Sequence, residues 1–152
     1  MIYRSNLKYQ LVEDFSIQVP IYLGKTISCN YIQLRGEEGW WMESQRRVLY
    51  IEAGYTWDGP SGPVVDVDWL MTPSLVHDAL YDLIREGKLG LSWKEQVDNI
   101  FCDLAYQRAP VNDEGEVEIW AESLIEGMRL GLRYLADIAA SPKGRRPITE
   151  VK

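Results

Sequence analysis

The sequence predicts an α+β fold, with a small N-terminal antiparallel sheet packed against three C-terminal helices. Three observations point to it. Before Gly54, apolar residues recur at period two, the pattern of half-buried strands. After Trp69 the spacing becomes that of an amphipathic helix, three times over. Glycines and prolines stand where the pattern breaks.

The elements follow in order. Phe15, Ile17, Val19, Ile21 and Leu23 alternate with other residues, interrupted by Pro20. Segments 26–34 and 47–53 are rich in Ile, Val, Tyr and Leu, and Gly24, Gly36, Gly39 and Gly54 read as turns. Trp40 and Trp41 at a strand start would place one ring on each face of the sheet. Thr72 and Pro73 read as the N-cap and first position of a helix. Its apolar stripe is Leu75, Val76, Ala79, Leu80, Leu83 and Ile84, and Gly87 is its left-handed C-cap. Ser92 and Glu95 read as a capping box. The helix it opens has Val97, Ile100, Phe101, Leu104 and Ala105 on one face. A loop at 110–115 leads to a third helix over 117–139, with the stripe Trp120, Leu124, Ile125, Met128, Leu132, Leu135 and Ala136. Gly127 and Gly131 lie one turn apart on it. Each costs about 1 kcal/mol relative to alanine in a helix, so a close approach by another backbone is expected there.

The chain has 152 residues, 46% of them hydrophobic, which fits one domain over 1–140 and a flexible basic tail over 141–152. A chain of this size can bury about two thirds of its unfolded surface. The net charge of −7 argues against a nucleic-acid partner, since phosphate neutralisation needs clustered Lys and Arg. The one basic run is Lys143, Arg145 and Arg146 in the tail. The absence of a long apolar run and of a signal-like N-terminus leads us to expect no membrane insertion and synthesis in a cytoplasm. Cys29 and Cys102 are far apart and read as buried free thiols. One histidine and two isolated cysteines do not make a zinc site, and no cofactor is expected.

The residues that could carry chemistry lie in two neighbouring segments. Segment 54–63 reads GYTWDGPSGP and contains Asp58 and Ser61, and segment 74–81 reads SLVHDALY and contains His77, Asp78 and Tyr81. At about 100° per residue, His77, Tyr81 and Arg85 border the apolar stripe on one side, with Asp78 in reach of Arg85. Histidine as a residue type can move a proton near neutral pH, so His77 suits a general base. Asp58, Asp78 or Asp98 could orient it or hold a cation, and Asp66 and Asp68 offer further oxygens. Ser61 lacks the strand–elbow–helix setting of a nucleophile. The alternative is structural: His77 bonds the loop at Asp58, and Asp78 pairs with Arg85. The loop is expected to dock on the first helix near His77, with Asp98 close by.

The order of these motifs resembles a family of small phage and prophage proteins known as a domain of unknown function. The resemblance covers about 32–134. It matches Asp58, Ser61, Pro63, His77, Asp78, Tyr81, Asp98 and Phe101. Trp57 departs from it, standing where a smaller residue is expected. No established activity comes with the resemblance. It implies a phage or prophage protein with a structural or interaction role, assembled into the virion as a tail-associated part after synthesis in the host cytoplasm. The implied partners are other virion proteins or a host protein. A hydrolase acting on a cell-envelope or nucleotide substrate through Asp58, His77, Asp78 and Asp98 is the competing expectation.

Overall fold

The N-terminal third forms two antiparallel sheets where one is expected. In the computed structural model, residues 3–6, 8–21, 23–36, 47–59 and 67–140 are described. Strands β1 (Tyr3–Asn6), β2 (Lys8–Leu11) and β7 (Thr56–Trp57) make a three-stranded sheet in the order β1-β2-β7. Strands β3 (Phe15–Val19), β4 (Ile27–Cys29), β5 (Ile32–Arg35) and β6 (Arg47–Ile51) make a four-stranded sheet in the order β3-β6-β5-β4. β3 stops at Pro20, which cannot donate to a ladder. The expected single run over 26–34 is a hairpin, β4 and β5, turned at Asn30 and Tyr31. Tyr31 has φ 61, a left-handed conformation that breaks the strand. The three-stranded sheet is poorly legible in sequence because its strands are short and largely polar. Trp40, Trp41, Ser61, Pro63, Asp66 and the tail lie outside the described residues.

Helix α1 (Asp68–Arg85) begins before the expected Thr72–Pro73 start. Its N-cap is Val67, without a side-chain cap, and Asp68 in the first turn faces the positive end of the helix dipole. Pro73 therefore lies inside the helix and removes one ladder hydrogen bond. The C-terminus is as expected. Gly87 has φ 71, its N–H donates to the Ile84 carbonyl, and Lys88 N–H donates to the Leu83 carbonyl. That pair of bonds is a Schellman motif.

A 3-10 turn at Leu91–Trp93 precedes α2 (Lys94–Arg108), whose N-cap is Trp93. The expected Ser92–Glu95 capping box does not form: neither the turn nor the helix has a side-chain cap bond. The 3-10 turn satisfies the entry in its place, with Trp93 N–H on the Gly90 carbonyl. A short link with an isolated bridge at Val111 and Val117 leads to α3 (Ile119–Ala140). Asn112 Oδ1 closes this link by accepting from the N–H groups of Glu114 and Glu116.

Two apolar clusters result. The larger joins both sheets, through Leu11, Ile21, Leu34, Leu49, Ile51 and Trp57, to Leu75, Leu80 and Leu83 of α1 and Val97 of α2. The smaller is built without strand residues and contains Leu70, Phe101, Cys102, Ala105, Ala121 and Ile125. Helix α1 is thus buried on two sides, while the core residues of α3 belong to the helical cluster. Among the described residues no helix is long and apolar enough to cross a membrane.

Candidate functional site

The polar strip of α1 faces α2. His77, Asp78, Tyr81 and Arg85 are all buried, and Asp98 and Phe101 of α2 cover His77 and Tyr81 on the flank that the helical wheel leaves at the rim. His77 is 7% exposed and Asp98 of α2 is 4% exposed. His77 Nε2 lies 2.8 Å from Asp98 Oδ1. The Tyr81 hydroxyl donates to the same oxygen. A carboxylate accepts, so Nε2–H is the tautomer this contact selects. The His77 ring also packs at 4.0 Å centroid distance against Tyr81, its neighbour one turn on, and edge-on at 5.4 Å against Phe101. A histidine, an aspartate and a tyrosine in contact could move a proton or brace two helices. In this setting the second role has its partners in place.

The 54–59 segment docks on α1 as expected, but through different side chains. Trp57 is fully buried, and its Nε1–H donates to Ser74 Oγ at 3.1 Å. Ser74 in turn donates to the Met71 carbonyl at 2.8 Å. The Trp57 ring rests on Tyr9 at 5.6 Å, so its bulk fills the space between β2 and α1. The Tyr55 hydroxyl donates to Asp82 Oδ2 at 2.6 Å. Gly54 turns the chain into this segment beside the β4–β5 hairpin. Its φ of 99 favours glycine, and a Cβ there would meet the Tyr31 ring at 3.1 Å.

The remaining candidates are placed as follows. The expected anchor of His77 is Asp58, whereas Asp98 stands at Nε2 and Asp58 is exposed. Asp78 and Arg85, the pair expected on this flank, are both buried, and the Arg85 guanidinium donates to Asp82, one turn back, and lies 5.8 Å over the Tyr81 ring. Asp78 is buried and has partners, while its Oδ2 accepts no hydrogen bond. Ser61 lies outside the described residues. Among the described residues no three His, Cys, Asp or Glu side chains converge as metal ligands.

Sequence reasoning assigns no role to Ser74 or Asp82. A serine inside an apolar helical run is a visible signal, since serine is disfavoured there without a specific bond. Asp82 and Arg85 stand three apart, which is also legible as a helical pair. Cys29 and Cys102 are free as expected, Cys102 buried but Cys29 only half-buried. Burial pushes both thiols up to about 11, helped at Cys29 by the carboxylates of Asp82 and Glu86.

No protein family, no curated protein and no solved structure matches this chain.

Proposed function

We propose that this protein is a structural or interaction component of a bacteriophage or prophage, assembled into the virion in association with its tail, and that the His77 cluster serves the fold. The observation that supports a non-catalytic role is the contact of His77 and Tyr81 with the single oxygen Asp98 Oδ1. A general base must reach a substrate proton. Here the more reachable ring nitrogen, Nε2, is already held by Asp98, inside a helix–helix contact. The order of the Asp58, Ser61, His77, Asp78 and Tyr81 motifs supports the phage origin. Exposed Ile119, Leu130 and Tyr134 on α3 support an interaction role.

A second reading draws on the same 2.8 Å contact, which is also the spacing of a base and its orienter. It makes the protein a hydrolase that uses His77 with Asp98, Asp58 and Asp78. Purified virions separate the two: the structural reading expects the protein there at a fixed copy number, and its absence would overturn that reading. His77→Ala separates them again. A brace predicts an unstable protein, and a catalytic base predicts a stable protein that has lost its activity.

A further inference from the structure

Among the described residues, the outer face of α3 is apolar and exposed. Ile119 is 80% exposed, Trp120 55%, Leu130 59% and Tyr134 83%. At about 100° per residue these four, with Ser123 and Gly127, fall in a sector of about 100°. Ala121 and Ile125, the buried residues of the helix, lie on the opposite side. Gly127 stands midway along the exposed sector, towards its Trp120 side, and Gly131 just beyond that side. Among the described residues nothing supplies the backbone approach expected at these glycines: a Cβ at either would meet nothing within 4 Å. The surface therefore has a notch flanked by large apolar side chains, Trp120 on one side and Tyr134 on the other.

The charges beside this sector are ordered along the helix. Glu122 and Glu126 come first, Arg129 and Arg133 later, all on one flank. Glu126 and Arg129 bond each other and also reach α2, through Tyr106 and Asn99. Glu122 and Arg133 are exposed. A two-fold axis perpendicular to the helix sets this flank against the same flank of a second copy, with the order reversed. In that arrangement Glu122 opposes the second copy's Arg133, and Glu126 its Arg129. Both pairs share one centre, beside Gly127. The same register places Trp120 against the second copy's Tyr134, extending the edge contact that Trp120 makes with Trp69 at 6.2 Å. A parallel pairing would set this flank against the opposite, uncharged flank of the second copy and form neither pair.

We propose that the occupant of this face is a second copy of the chain, packed antiparallel α3 on α3 about a two-fold axis at Gly127. The proposal deepens the interaction reading above by naming a partner for this face. Sedimentation equilibrium of the full chain is expected to give twice the chain mass. R133E is expected to weaken the pairing by about tenfold, since it sets like charges against each other across the axis. The double variant E122R/R133E restores opposite signs and is expected to recover the pairing. Gly127→Leu fills the notch and is expected to abolish it, with helix content by circular dichroism unchanged. A chain that sediments as a single copy at high micromolar concentration overturns the proposal. A dimer that R133E and the double variant affect alike overturns it too. Neither result bears on whether the protein is found in virions, so failure here is distinct from failure of the proposed function.

Discussion

Asp98 Oδ1 lies 2.8 Å from His77 Nε2, and through that oxygen α2 also holds Tyr81, one helical turn further along α1. One carboxylate oxygen thus carries two donors in the contact between the helices. Asp98→Ala is expected to cost about 3–5 kcal/mol, because it strands buried polar groups that were matched to it. Tyr81→Phe removes one donor and is expected to cost about 1.5–3 kcal/mol. Urea unfolding of the single and double variants checks both values, and His77→Ala combined with Tyr81→Phe should be non-additive because the two share a partner. Independent, additive effects would mean that the shared oxygen is not what ties them together.

The Trp57–Ser74 bond makes a second prediction. Trp57→Phe keeps a ring in the core but leaves Ser74 without its indole donor, at a cost of about 1–3 kcal/mol. Trp57→Ala also empties the space beside Tyr9 and is expected to cost about 3–5 kcal/mol. Ser74→Ala removes the hydroxyl that accepts from the Trp57 indole, so a neutral or stabilising result in denaturant melts would contradict this bond.

Two glycine-to-alanine changes are expected to have opposite signs. Gly87→Ala places a Cβ in a left-handed C-cap and should destabilise by about 1–2 kcal/mol. Gly127→Ala meets open space in a helix interior and should stabilise an isolated copy by about 1 kcal/mol. Thermal melts in dilute solution, where copies are apart, measure both.

The thiols set a dependence on alkaline pH. Burial raises Cys29 and Cys102 from 9.0 to about 11 in the folded chain. Their contribution to stability is complete below the unfolded value of 9.0. It is lost as pH rises towards about 11, because the unfolded chain releases these protons first. At pH 9 iodoacetamide should label the unfolded chain quickly and the folded chain slowly, read peptide by peptide by mass spectrometry. Replacing both cysteines with alanine should flatten the fall in stability between 9.0 and about 11. Equal labelling rates in the two states would remove the basis for this.

Sequence alone was enough for what depends on neighbours along the chain. The change of period after Trp69, the Gly87 cap, the place of α3 and the side of α1 that carries His77, Tyr81 and Arg85 are all local properties, set by repeat and backbone conformation. So is the split between a strand-rich first third and a helical remainder. The tertiary structure decided what those local signals meet. Val67 and Asp68 start α1 ahead of Thr72, and Pro73 is tolerated inside it because packing on two sides outweighs one lost ladder bond. Asp98 rather than Asp58 reaches His77 Nε2, since α2 returns across α1 and its carboxylate arrives from 21 residues away. Trp57, an irregularity when read in sequence, becomes the buried wedge that joins the small sheet to α1. Periodicity shows which side of a helix is apolar. Which buried donor meets which acceptor depends on how the elements cross, and that is settled only when the whole chain has packed.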